Sequence, residues 1–250
     1  MGDFVMCDYI SFSLYGDNPK YVKGLFANLD LMQEIYKGWR AVVFHDDTLS
    51  PEILQELKER EVSLKDMTLS GVLAASWRFC AADTECGRFI VRDADSRISK
   101  REEEAVQEWI EADTVLHIMR DHPHHGYPML GGMWGMKVGE DLRMEKWLKF
   151  SMRSAILKHQ GKQASRINER THWWMKDMDF LRDVMYREFG NPFQSTIHNA
   201  TDFMPRVPWN CESWAKDFPS PIDEDKHFVG EVFVFDEDGN EQREYQYKER

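Results

Sequence analysis

The sequence predicts an α/β domain whose central sheet is mixed, mainly parallel and flanked by helices. Two observations carry this. Short runs rich in β-branched and aromatic residues alternate along the chain with longer runs whose apolar residues recur at helical spacing. Charged clusters also follow three of the short runs: His45-Asp46-Asp47, Asp93-Ala94-Asp95 and Arg120-Asp121-His122. In parallel sheets ligands sit beyond the C-terminal strand ends, so these clusters point to an enzyme.

The elements follow in order. Val5 to Leu14 reads as the first strand. Asp17-Asn18-Pro19 turns the chain, and Tyr21, Leu25, Leu29, Met32 and Tyr36 mark one helical face. Arg40 to Phe44 is a short buried strand. Ser50 and Pro51 stand as N-cap and first residue of a helix running to about Arg60. Val62 to Leu64 is a weak strand, and Leu73 to Phe79 a helix. Arg88 to Arg92 is a strand that ends at Asp93. Ser99 caps a helix that is acidic, then apolar, as far as Ala112. Thr114 to Arg120 is the next strand. The Pro- and Gly-rich run from Pro123 to Gly135 reads as a connection. Helices follow at Met144 to His159 and Asp177 to Phe189, with a short strand at Ser195 to His198. The segments Glu231 to Phe235 and Glu241 to Tyr247 have hairpin character around Asp238-Gly239. The expected organisation is one domain over 1–235, then an acidic tail or hairpin over 236–250.

Composition narrows the function classes. With 32 Lys and Arg against 44 Asp and Glu, the 250-residue chain carries a net charge of −12. Nucleic-acid binding needs clustered cations that release counterions, so it is not expected. No run of 18 apolar residues offers a membrane span. The first residues, Met1 to Gly16, lack a basic segment and a small-residue cleavage site. Cys7, Cys80, Cys86 and Cys211 show no Cys-x-x-Cys spacing and read as reduced thiols rather than a zinc site. A cytoplasmic location is the expectation.

The segment Arg92 to Arg97 carries the sharpest chemistry. In an extended segment, residues two apart share a face, so Asp93 and Asp95 can offer two hard oxygen donors to one Mg²⁺ or Mn²⁺ ion. Such an ion suits a diphosphate leaving group. Arg78, Arg92 and Arg97 are the candidate phosphate partners, because a guanidinium grips oxyanions with two donors. His122, with His124 and His125 nearby, and the pair Gly131-Gly132 are candidates to line a substrate cleft. Trp134 is a candidate to stack on a sugar ring.

These pieces together resemble the GT-A-fold nucleotide-sugar glycosyltransferases of large algal viruses and bacterial polysaccharide clusters. The matching stretches are Phe12 to Tyr21, Trp77 to Phe79, Arg92 to Glu102, Ala105 to Trp109, His117 to Pro123, Gly131 to Gly135 and Phe228 to Phe233. The resemblance implies a GT-A (Rossmann-like) fold. It implies a divalent ion on Asp93 and Asp95, completed by His198, and a nucleoside-diphosphate sugar, UDP-sugar favoured, near Ser11, Phe12 and Ser13. It also implies an Asp facing the reacting sugar, matched by Asp177. Lys176 and Met178 flank Asp177 where the family pattern has Asp and Gln, and Asn199-Ala200 follow His198 where Asp-Ser is usual.

The expected activity is metal-dependent transfer of a sugar to a glycan, glycoprotein or other hydroxyl acceptor, with Asp121 or Asp177 orienting or deprotonating the acceptor. Two alternatives stand beside it. One is a non-catalytic nucleotide-sugar-binding module derived from such an enzyme. The other is a phosphatase of the haloacid-dehalogenase type, in which the first Asp of the motif would be a nucleophile. Against the latter, the motif lies at 93–95 rather than on the first strand, and Arg97 stands where that motif wants Thr or Val.

Overall fold

The computed structural model describes residues 7–139, 142–151, 176–200, 212–236 and 238–244. It is built on a seven-stranded sheet of β1 (Tyr9–Leu14), β2 (Arg40–His45), β3 (Ser63–Asp66), β4 (Arg88–Val91), β5 (Leu116–Arg120), β6 (Trp134–Lys137) and β7 (Ser195–Asn199). The strand order is β3-β2-β1-β4-β6-β5-β7. All neighbours pair in parallel except β6, which is antiparallel to both β4 and β5. The fold is the mixed, mainly parallel α/β Rossmann-like sheet that the sequence predicts. No helix among the described residues is long and apolar enough to cross a membrane.

The helices start where their caps stand. Asn18 accepts the Lys20 N–H ahead of α1 (Pro19–Ile35). The Ser50 hydroxyl accepts the Ile53 N–H ahead of α2 (Pro51–Glu59). Ser99 does the same for Glu102 ahead of α3 (Lys100–Ala112). Each side chain satisfies one of the amides that a helix start leaves unpaired. Two further helices are α4 (Met144–Ser151) and α5, residues 176–189, which widens to a π-helical turn at Leu181–Tyr186.

Alternation along the strands divides the core in two. Val42, Phe44, Phe89 and Val91 face Trp77, Phe79, Trp134, Phe180 and Leu181. Ile10, Phe12, Leu14, Val43 and Ile90 face Leu25, Leu29 and Trp109 of α1 and α3.

Two readings need correction. The helix expected over Leu73 to Phe79 is a 3₁₀ helix, Ala74–Asp83. The backbone of Arg78 is spent on β1: its N–H donates to Ser13 Oγ at 3.0 Å and its carbonyl accepts from Ser11 Oγ at 2.6 Å. Those bonds compete with the regular α-helical ladder. Strand β6 was not expected, because it begins in the Gly-rich run read as a connection. Residue 236 opens the segment expected as an acidic tail or hairpin. It lies in the turn between β8 (Phe233–Phe235) and β9 (Glu241–Arg243), which pair as an antiparallel hairpin. The expected strand residues Val5 and Met6, helix residues 152–159 and Tyr247 lie outside the described residues.

Candidate functional site

Strands β1 and β4 lie side by side at the middle of the sheet, and their C-terminal ends open into a cleft of about 420 Å³. Ser13, Tyr15, Tyr21 and Leu73 to Ser76 line one part of it. Arg78, Asp93, Asp95 and Asp177 line the floor. His125, Leu130, Gly131, Met133, Met178, Gly230 and Val232 line the rest.

The floor is a charged triangle. Arg78 Nη1 lies 2.5 Å from Asp93 Oδ1, and Nη2 lies 3.9 Å from Asp177 Oδ2. The Arg78 side chain is only 9% exposed, while Asp93 is 41% exposed and Asp177 16%. Burial disfavours the guanidinium charge, but Asp93 and Asp177 outweigh it and hold Arg78 protonated. Burial also raises the Asp177 carboxyl above its usual range, with the Arg78 charge opposing the rise. Asp95 is 13% exposed and pairs with Lys20 Nζ at 3.0 Å. Burial, then the neighbouring charge of Asp93, raises its carboxyl, with Lys20 opposing.

Two glycines let the triangle close. A Cβ on Gly131 would lie 2.8 Å from Arg78 Nη2 and 2.9 Å from Asp177 Oδ2. A Cβ on Gly132 would run into Asp93 Oδ2 and the Asp93 backbone. Only a residue without a side chain permits this approach.

The structure thus brings Ser13, Arg78, Asp93, Asp95, Gly131 and Asp177 to one cleft, with Gly132 packed beneath Asp93. Ser11 does not line it. It is buried, and its hydroxyl holds the Arg78 carbonyl.

Other candidates are placed elsewhere. Phe12 points to the opposite face of β1 and is fully buried between strand and helices. Arg92 is one residue from Asp93, and extended chain sends it the other way. Its Nε donates to Glu102 at 2.7 Å, and Glu102 also accepts from the Tyr36 hydroxyl. Arg97 donates from Nε to Glu241 at 2.7 Å and lies over Phe233 and Phe235 of the hairpin. Trp134 is fully buried against Phe79 and Phe89, so it stacks on core rings rather than on a sugar. His122 stacks on Phe228 with ring centroids 4.2 Å apart, and it is His125 that reaches the cleft.

Asp121 and His198 require the largest corrections. Asp121 is fully buried and bonded by both oxygens to Arg101, at 2.7 and 2.8 Å, and it accepts the Val229 N–H at 2.9 Å. Burial raises its carboxyl, with Arg101 opposing. It anchors chain rather than facing an acceptor. His198 is fully buried on the α3 face of β7. One ring nitrogen meets His117 at 2.9 Å and the other Glu108 at 3.2 Å, so neither is offered to an ion at Asp93 and Asp95. Asp46 takes the N–H and hydroxyl of Thr48, the geometry of a turn.

Sequence reasoning missed Lys20, Tyr15, Tyr21 and Ser76. Ser76 is buried, lines the cleft, and its hydroxyl has no hydrogen-bond partner among the described residues. Tyr15, Lys20 and Tyr21 lie in the matched stretch Phe12 to Tyr21 but carry no role there, and Ser76 comes from a 3₁₀ turn that no local pattern marks as part of a site.

Among the described residues no group of three or more His, Cys, Asp or Glu is arranged to hold a metal. Asp93 and Asp95 nevertheless fit a hard divalent cation that shares its remaining positions with ligand oxygens. They are carboxylates two residues apart that line one cleft, and Asp93 is 41% exposed.

No protein-family model and no curated protein sequence matches the chain. Solved structures of similar backbone include S. aureus TarS 1–349 in complex with UDP, 17% identical, covering 46% of this chain and 35% of that one at a TM-score of 0.37. The mannosyltransferase PcManGT from Pyrobaculum calidifontis, in complex with GDP-Man and Mn2+, is 10% identical, with 77% and 55% covered at a TM-score of 0.44. A second structure of TarS 1–349 is 12% identical, with 74% and 72% covered at 0.43. The chain spans 35% and 55% of the first two of these structures. Similarity at this level carries no assignment of activity.

Proposed function

We propose that the chain is a glycosyltransferase that moves a sugar from a nucleoside-diphosphate sugar to a hydroxyl acceptor, with a divalent cation held by Asp93 and Asp95. The observation that carries this is the placement of Asp93 and Asp95, at the C-terminal end of a central strand, in one cleft with Arg78 and Asp177. When bound, the cation supplies positive charge to a departing diphosphate. The rest falls to the chain itself. Arg78, pinned by Ser11 and Ser13, presents a fixed guanidinium where negative charge develops on the leaving group. Ser76 offers a buried hydroxyl to the donor. Asp177, its carboxyl raised by burial, orients the incoming hydroxyl and accepts its proton.

The binding-module reading keeps one supporting observation. Met178 lies beside Asp177 in the cleft, and its sulfur receives the Gly131 N–H at 3.2 Å. A thioether offers no N–H to a sugar hydroxyl.

One experiment separates the two. The chain is incubated with UDP-, GDP- and dTDP-sugars, with Mn²⁺ or with chelator, and both nucleotide release and thermal shift are followed. Cation-dependent release from one donor is expected. Asp93→Asn should abolish the cation-dependent stabilisation as well as the release. Stabilisation without release in the presence of hydroxyl acceptors would establish a binding module. Unchanged donor binding in Asp93→Asn would remove the cation assignment.

A further inference from the structure

Lys20 is not needed by the proposed reaction, yet it holds a central position. It stands in the first turn of α1, and its Nζ lies 3.0 Å from Asp95 Oδ2 and 2.7 Å from Glu244 Oε2. Glu244 directly follows β9. The hairpin is also fastened to the cation loop itself: the Phe233 N–H donates to the Asp95 carbonyl at 2.8 Å, Val232 bridges Ser96, and Arg97 pairs with Glu241. Gly230 and Val232, just ahead of β8, line the cleft. One ammonium is therefore shared between a carboxylate of the cation site and a carboxylate of the segment that walls it.

We propose that Lys20 is a counter-ion latch: its ammonium holds Asp95 and ties the hairpin to the cleft, so that cation occupancy and hairpin anchoring oppose each other. The proposal rests on the reading of Asp93 and Asp95 as cation ligands. A cation and an ammonium on the same carboxylate repel, and the ammonium is the one free to retreat with Glu244. Coupling of this kind is reciprocal. Whatever loosens Lys20 from Asp95 favours the cation, and the cation loosens the hairpin from the loop.

The test titrates the full chain with Mn²⁺ alone by calorimetry at neutral pH, and follows amide hydrogen exchange over 232–244. Lys20→Met should tighten Mn²⁺ binding about tenfold, within the usual range for coupled sites. Glu244→Gln should shift it the opposite way, by about threefold, because the ammonium then rests on Asp95 alone. Mn²⁺ should speed exchange at Phe233 and Glu244 in the native chain and leave it unchanged in Lys20→Met, whose hairpin is already loose. Lys20→Arg, which keeps the charge, should behave as the native chain and guards against a folding artefact. Unchanged or weaker Mn²⁺ binding in Lys20→Met, or hairpin exchange indifferent to Mn²⁺, would overturn the latch. If neither native chain nor Lys20→Met binds Mn²⁺, the cation site falls and the latch with it. Failure of the transferase reading shows separately, as donors that are never turned over by a chain that binds Mn²⁺.

Discussion

Arg78 holds together two carboxylates that would otherwise repel across the cleft, and it can do so only because its own backbone is fixed by two serines of β1. Part of this was legible: Ser13, Arg78, Asp93, Asp95 and Asp177, which share the cleft, were all marked from the sequence, whereas Ser11 was marked for the donor and instead holds the Arg78 carbonyl. Arg92 and Arg97 were marked by the same logic and belong elsewhere. Residue type and nearness in sequence do not show on which side of an extended chain a guanidinium leaves. His125 shows a second residue-scale effect. Burial, then the neighbouring rings of His122 and His124, lowers its imidazole to about 3. Burial lowers His122 to about 4. Below an ordinary imidazole value of about 6.5 the unfolded chain takes protons that these folded rings refuse. Stability present above that pH is therefore lost as pH falls towards 3. The raised carboxyls of Asp121 and Asp177 act in the opposite sense, gaining protons first in the folded chain. The melting temperature should fall between pH 7 and pH 5, and fall less in His125→Asn, whose amide oxygen can still accept the Asp121 N–H. Equal slopes in the two proteins would contradict this.

Among the elements, α1 acts as a splint for the Asp93–Asp95 loop. Asn28 donates from Nδ2 to the Ser96 carbonyl at 2.8 Å and accepts the Ile98 N–H at 3.0 Å. One turn earlier Gly24 lies directly against the Ala94 carbonyl. A methyl group there meets backbone, which cannot swing aside. Gly24→Ala gains about 1 kcal/mol of helix propensity. The clash should exceed that gain, since overpacking typically costs about 1–3 kcal/mol and here forces α1 away from the loop. The variant should unfold at lower denaturant than the native chain. A higher midpoint would show that the helix is not seated on the loop. The helices themselves were readable because Asn18, Ser50 and Ser99 announce their starts locally. Strand β6 was not readable. Its four residues follow a Gly-Gly turn, and it is a strand because β4 and β5 leave a gap that an antiparallel segment fills.

At the scale of the molecule, residues 212–236 return over the C-terminal ends of the strands, and Gly230 and Val232 among them wall the cleft. Two consecutive residues at the end of β5 secure that return. Arg120, fully buried, donates to both oxygens of Glu212, at 2.9 and 3.1 Å. Asp121 holds the Val229 N–H and grips Arg101, which in turn donates to the Ser220 carbonyl and lies over Phe218. Consecutive charges past a strand end read equally well as catalytic or as a fastening, and only the tertiary path of residues 212–236 decides between them. The two roles predict different consequences. Losing one partner of a buried pair costs about 3–5 kcal/mol, because the other charge is left uncompensated. For a chain of this size that amounts to about 6–20 °C in melting temperature, at the usual conversion. Asp121→Leu should show such a fall, together with faster hydrogen exchange around Phe218 and Val229. Asp121→Asn, which keeps an acceptor for Val229, should lose less. In Asp121→Asn assayed well below its melting temperature, the pH profile of donor turnover should keep the native shape, since the base proposed for the acceptor is Asp177 and Asp121 lies outside the cleft lining. A profile that loses a limb in Asp121→Asn would return Asp121 to the chemistry.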